Sequence, residues 1–343
     1  MRRERVRAGS CGLSCPDKDG DKLMRDWHAF RNEFPAVSGS VYLNTAGGGA
    51  MSRAAAEAGA AYYREHLELA DAAWEKWLAR METVRRTVAH SVGAQPDRLS
   101  FLSNASLAFN IIARSLPKGA RVVALDNEFP SCTLPFLGAG HQVRFVSTPP
   151  SGAISADDLD RALRASDDLF VISSVQFATG YRADIRSLAE ACHARGIDMA
   201  VDATQSVHAF PLDMGRDGVD WLVFSGYKWA TAGYGIAVLA SRAGAKGALV
   251  RPPLSGWRSA RDAYALVNDR LDLLSCGVGH EMGHPLFPGI FTLGAATRLL
   301  AGGSGGTKTL SHRILGLVSR LRAGLCELGC DIRSWNPETA APS

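Results

Sequence analysis

Lys228 stands in Ser225-Gly226-Tyr227-Lys228-Trp229, between the apolar run Trp221–Phe224 and the glycine turn Gly233-Tyr234-Gly235. A lysine confined in that way is an amine able to hold an aldehyde as a Schiff base. Upstream, the apolar stretch Ile197–Val201 ends in Asp202, with Gln205 three residues on and Lys228 26 residues beyond Asp202. Those three groups meet the needs of pyridoxal 5'-phosphate. The amine takes its aldehyde, the acid keeps its ring nitrogen protonated, and the amide donates to its phenolate oxygen. The charged ring is then an electron sink for a carbanion at the α-carbon of an amino acid or related amine.

Two more segments fit the same chemistry. Ser103-Asn104-Ala105-Ser106 falls between a predicted strand and a predicted helix, where free backbone N–H groups and a hydroxyl form a phosphate cradle. Glu128-Phe129-Pro130-Ser131 follows another strand and brings an aromatic ring to the sheet edge, where a pyridine could stack.

The elements that must carry these residues alternate. Helical spacing of Trp27, Phe30 and Phe34 follows Met24, and residues 52–91, free of proline, read as one long helix. Strands are predicted at 98–102, 121–125, 142–146, 169–173, 198–201, 221–224 and 236–240. Helices are predicted at 105–116, at 157–164 with Ser155 as cap, at 186–195, at 290–300 and at 311–328. Such alternation predicts an α/β fold: a mainly parallel sheet with helices on both faces, binding ligands beyond the carboxyl ends of its strands. Asp202 and Ser225 both fall at such ends. Residues 241–285 are irregular and glycine-rich, suited to an active-site or subunit-contact loop. Residues 1–23 lack periodicity and are expected to be disordered, with Met24 as the true start.

The 343 residues are 46% apolar and 21% charged, the composition of a globular protein with ample length for a core. The net charge of +4 owes part of its size to the arginines at positions 2, 3, 5 and 7, so no nucleic-acid partner is expected. No run approaches the ~20 apolar residues of a membrane helix, and no apolar segment of a secretory signal follows the N-terminal charges. Seven scattered cysteines imply reduced thiols and a cytoplasmic protein. The pairs Cys11/Cys15 and Cys326/Cys330 lack the further ligands of a zinc site, so no metal is expected.

From Tyr42-Leu-Asn-Thr-Ala-Gly47 through Ser174-Val-Gln-Phe-Ala-Thr-Gly180, Val201–Ser206, Ser225–Trp229 and Ser255-Gly-Trp257, the chain resembles the class V aminotransferase family. These are fold type I pyridoxal-phosphate enzymes that include cysteine desulfurases and isopenicillin N epimerase-like proteins. The resemblance covers roughly residues 36–300. It implies a seven-stranded-type sheet in a large domain (24–300), with residues 301–343 opening a small C-terminal domain that is largely missing. It implies an internal Schiff base at Lys228, Asp202 on the pyridinium and Gln205 on the phenolate oxygen. Asn104, Ala105, Ser106, Ser225 and Tyr227 would hold the phosphate and Phe129 would stack on the ring. Asn44 and Gln176 would line the substrate side. It further implies a homodimer in which His284, standing where many members have threonine, reaches the partner's phosphate.

The expected activity is Schiff-base chemistry on an amino acid or amine, of the aminotransferase, epimerase or C–S lyase type. A desulfurase is disfavoured, because no cysteine sits in a recognisable substrate-facing loop. The alternative is a non-catalytic truncated remnant that binds the cofactor or a partner without turnover. His280-Glu281-Met282-Gly283-His284 also matches H-E-x-x-H, a zinc-protease signature. Gly277, Gly279 and Pro285 flank it, however, and Phe287 and Ile290 stand where the extended motif needs glycine and histidine.

Overall fold

Seven short strands pair into one sheet; six are almost wholly buried, and β3, Gln142–Val146, closes one edge with its residues exposed or half-buried. The computed structural model describes residues 25–149, 152–245, 252–275, 277–303 and 305–332. The expectations for residues 1–23, Met24, Cys11/Cys15 and the tail from 333 fall outside these. The strands are β1 (Leu99–Leu102), β2 (Arg121–Leu125), β3 (Gln142–Val146), β4 (Leu169–Ser173), β5 (Asp198–Asp202), β6 (Trp221–Ser225) and β7 (Ala237–Ser241). Their order is β1-β7-β6-β5-β4-β2-β3. The five strands from β3 to β6 are parallel, and β7 runs antiparallel to both neighbours.

The helices are α1 (Trp27–Asn32), α2 (Arg53–Leu69), α3 (Trp74–Ser91), α4 (Ala105–Ser115), α5 (Leu134–Gly138), α6 (Ala156–Ala162), α7 (Ile185–Ala194), α8 (Phe287–Ala301) and α9 (Gly306–Glu327). The two-residue period of the strands divides the core. Phe170, Ile172, Met199, Val201, Leu222 and Phe224 face one side, with α3, α7 and α8. Leu169, Val171, Ala200, Trp221 and Val223 face the other, with α4 and α5.

The long helix expected over 52–91 is two helices. Ala70, at φ 45° and ψ −133°, breaks it, and a 3₁₀ turn over Ala70–Ala73 reverses the chain. Neither glycine nor proline marks the break. Packing supplies the reason: Trp77 Nε1 donates to Glu65 Oε2 at 2.8 Å, and the Tyr62 ring lies 4.9 Å from that of Trp77. Both helices then pack on α8. The positive φ of Ala70 costs about 1–3 kcal/mol, and the packing of buried Trp77 against half-buried Tyr62 offsets it.

The irregular segment ahead of α8 is pinned by a buried ion pair. Arg85, 1% exposed on α3, donates to both carboxylate oxygens of Glu281 and to the Leu99 carbonyl, while Glu281 also accepts the Phe101 N–H at 2.8 Å. Burial disfavours the Arg85 charge, but Glu281 and Glu82 more than offset it. The acid of the H-E-x-x-H match is therefore a structural anchor. Its two histidines share no helix face, since Gly277–His280 is a 3₁₀ turn and α8 begins at Phe287.

Candidate active site

Asp202 ends β5, where parallel strands direct their last residues toward the crevice. Its Oδ1 accepts the Thr204 N–H at 2.8 Å, and the Cys132 thiol donates to Oδ2 at 3.4 Å. Burial pushes its carboxyl above the usual range, against those two donors and the charge of Lys228.

Lys228 follows β6 across Gly226, whose N–H donates to Ile236 O at 2.8 Å. A Cβ at Gly226 would stand 2.5 Å from Ile236 Cγ2, so glycine is needed for the turn to close. Gly49 performs a second close approach. Its N–H donates to Tyr227 O at 2.7 Å, and a Cβ there would collide with the Lys228 carbonyl oxygen. The Lys228 backbone is thus clamped from two sides. Its Nζ lies 5.5 Å from the Phe129 ring centroid and 5.6 Å from that of Tyr227. Burial lowers the pKa of the amine and Asp202 pulls it back up.

In the same cleft, Asn104 caps α4, its Oδ1 accepting the Leu107 N–H at 2.8 Å. Ala105 and Ser106 open the helix, with Ser106 Oγ 2.9 Å from Ser131 Oγ. The helix start and paired hydroxyls make an anion cradle. Ser225 donates its N–H to Thr204 Oγ1 at 3.1 Å. Gln205 is held between Ala46 O, which its Nε2 reaches at 3.0 Å, and Trp229 Nε1, which donates to its Oε1 at 3.0 Å. One amide hydrogen of Gln205 remains for the cleft. Tyr227 stacks on Tyr234 at 4.7 Å.

A family model for class-V aminotransferases matches residues 41–334. The chain belongs to the class-V aminotransferase family. The uncharacterised aminotransferase YcbU of Bacillus subtilis is 28% identical over 279 residues, covering 79% of this chain and 72% of YcbU. The cysteine desulfurase IscS of Edwardsiella ictaluri is 31% identical over 157 residues, covering 43% of this chain and 39% of that protein. The chain therefore spans well under half the length of that desulfurase in the match. The fold resembles that of a cysteine desulfurase from Thermococcus onnurineus, with a TM-score of 0.79 at 23% identity, covering 89% of this chain and 78% of the other. It also resembles the cystine C–S lyase C-DES, solved with its product cysteine persulfide, with a TM-score of 0.78 at 22% identity, covering 86% and 80%.

In this family member, Asn104, Ala105, Ser106, Phe129, Asp202, Gln205, Ser225, Tyr227 and Lys228 line one cleft. Ser131, Ser173, Val175, Phe177 and Thr204 line it too and escaped the sequence reading. Three expected residues lie elsewhere. Gln176 does not line this cleft: it is 2% exposed, its Nε2 donates to Glu128 at 2.5 Å, and its neighbours Val175 and Phe177 line the cleft. Asn44 is exposed on the turn whose Ala46 carbonyl holds Gln205, outside the cleft lining. His284 borders a separate cavity, its ring 5.2 Å from Trp257 and 5.7 Å from Trp74. Gln176 lies three residues past β4, beside the isolated Val175–Arg182 bridge, where its N–H donates to Tyr181 O at 2.8 Å and its side chain is taken by Glu128.

Proposed function

We propose that the chain is a pyridoxal-phosphate enzyme acting on an amino acid or related amine, by transamination, epimerisation or C–S cleavage. One observation carries this: a buried amine and a buried acid, Lys228 and Asp202, share one cleft with the start of α4. The residues fit the group. Asp202 has a free acceptor position beside two fixed donors, and the Asn104–Ser106 cradle suits a phosphate. When bound, the cofactor supplies a reactive aldehyde and a sink for the electrons of a broken bond at the substrate's α-carbon.

The chain's own residues do the rest. Burial keeps more of Lys228 neutral than an ordinary lysine, which makes it a nucleophile for the aldehyde and a base for the α-proton. Asp202 would keep a proton on the ring nitrogen of the bound cofactor. The α4 N–H groups, Ser106, Ser225 and Tyr227 would hold its phosphate, Phe129 would stack on its ring, and Gln205 would donate to its phenolate oxygen. Asn44, exposed on the turn whose Ala46 carbonyl holds Gln205, would meet the substrate from outside the cofactor cleft.

A desulfurase-type cysteine nucleophile has no support in Cys132, which is fully buried behind Asp202. The remnant alternative has no residue in its favour, since the cleft retains amine, acid and cradle. The chain is proposed to be a cytoplasmic homodimer in which His284 serves the partner's phosphate. Among the described residues no helix is long and apolar enough to cross a membrane.

Reconstitution with the cofactor, borohydride reduction and peptide mapping test the reading. The expected label is on Lys228. A label on another lysine, or none, overturns it.

A further inference from the structure

Glu128 lies directly behind the cleft and has no role in the chemistry above. It is 9% exposed, in the turn between β2 and the Pro130–Cys132 3₁₀ helix. Its Oε1 accepts the Ser173 N–H at 2.8 Å and Gln176 Nε2 at 2.5 Å, and its Oε2 meets Ser173 Oγ at 2.6 Å. Among the described residues no lysine, arginine or histidine forms an ion pair with it. Its partners are dipoles only.

The residue it grips is the register partner of the acid: Ser173 on β4 stands opposite Asp202 on β5. Four residues after Glu128, Cys132 places its thiol 3.4 Å from Asp202 Oδ2 and 3.9 Å from Ser173 Oγ. One short turn therefore supports Asp202 twice, by a thiol donor and by a fixed strand end, and brings a second carboxylate to the same end of the cleft.

We propose that Glu128 is a positioning residue: an ionised carboxylate that locks Ser173 and Gln176 behind Asp202 and adds negative charge to the ring-nitrogen end of the cleft. This rests on the pyridoxal-phosphate reading above. An amide at position 128 would keep the shape and lose the charge. Two carboxylates at the ring-nitrogen end of the cleft, one lining it and one behind it, hold the protons of a cationic ring more tightly than one does. The other titratable groups facing this space are Asp202 from β5, Cys132 from the same turn, and Tyr227 and Lys228 from the loop after β6. The start of α4 brings none. Burial, with Asp202 adding to it, raises the Glu128 carboxyl above the usual range against the Ser173 and Gln176 donors. The ionised form is favoured by geometry, since all three hydrogen bonds to the carboxylate are donated to it.

The test uses the full chain loaded with pyridoxal phosphate. It reads the pH midpoint of the bound cofactor's visible absorbance, and cofactor retention by equilibrium dialysis, in wild type, Glu128→Gln and Glu128→Asp. Glu128→Gln is expected to lower the midpoint by about one unit, the effect of removing one nearby charge, and to weaken retention about tenfold. Glu128→Asp keeps the charge, so its midpoint is expected to stay closer to wild type. A purely structural role would lower the thermal midpoint of Glu128→Gln and leave its absorbance midpoint alone. A midpoint within about 0.2 units of wild type would overturn the proposal. Should Glu128→Gln not fold, Gln176→Leu strips one donor from the carboxylate and favours its protonation. A smaller downward shift there supports the proposal, and no shift with unchanged retention overturns it. A wild-type chain with no absorbance band overturns the functional reading itself, and a wild-type band with an unmoved variant midpoint overturns only the role of Glu128.

Discussion

Arg85 Nη1 meets Glu281 Oε1 at 2.6 Å and Nη2 meets Oε2 at 3.0 Å, a two-point pairing across 196 residues of sequence. Both partners are almost wholly buried, and Glu281 also accepts the Phe101 N–H, so the pair ties α3, β1 and the segment ahead of α8 together. A buried pair of this kind is weak evidence of net stabilisation, but removing one partner strands the other charge out of water.

Glu281→Ala is therefore expected to lower unfolding free energy by about 3–5 kcal/mol. Urea titration of the purified chain measures it. Because Glu281 is spent on Arg85, a chelator should leave the wild-type midpoint where it was. A midpoint that falls on chelation would reinstate the metal reading of His280 and His284.

Acid should destabilise the chain through two imidazoles. His208 and His280 are both buried, and burial lowers each from 6.5 to about 4. The unfolded chain takes up these protons near pH 6.5 and the folded chain only near 4. Stability is thus full above the first value and is lost as pH falls toward the second. By pH 5 the loss is about 2 kcal/mol for each histidine. His208→Asn removes one titration, and asparagine tolerates the φ of 61° that His208 adopts. The variant's urea midpoint should fall less than the wild type's between pH 7 and pH 5. Equal slopes would mean that His208 takes up its proton in the folded chain.

Gly49 should be indispensable to the site for a reason of space. Its added Cβ meets backbone, the Lys228 carbonyl, which cannot swing aside as a flexible side chain would. Gly49→Ala is expected to displace Lys228 and weaken cofactor retention about tenfold or more, since a displacement of this size misplaces the reacting amine. Equilibrium dialysis checks it. Wild-type retention would show that the 44–49 turn moves freely over the lysine.

The parts of the site that were legible in the sequence are those written within a few residues. Asp202 with Gln205, and Ser225 through Lys228, are local patterns at strand ends, and the strands were readable as short apolar runs between turn residues. Glu128, Cys132 and Gln176 act through contacts across 45 to 70 positions, to which no periodicity points. Gln176 illustrates the cost: its motif placed it near the cleft, but its side chain is drawn to Glu128, 48 positions away. The break at Ala70 was equally hidden, because alanine favours the helix and only the Glu65–Trp77 packing shows that the chain must turn there.

Asp202→Asn separates charge from shape at the centre of the cleft. The amide oxygen can still accept the Thr204 N–H, so the β5 end should hold its place. The amide nitrogen would then face the cofactor's ring nitrogen as a donor and could not keep that nitrogen protonated. Turnover is expected to fall about 10²-fold or more, while cofactor retention changes by a much smaller factor. Stability should move the other way. Burial raises the Asp202 pKa, so its ionised form destabilises the cofactor-free chain near neutral pH, and the neutral asparagine relieves that cost. Steady-state rates on an amino acid that the wild type turns over, measured beside the thermal midpoint of the cofactor-free protein, read both effects. A near-normal rate in Asp202→Asn would remove the residue from its role at the ring nitrogen. A collapsed thermal midpoint would instead show that its charge serves the fold.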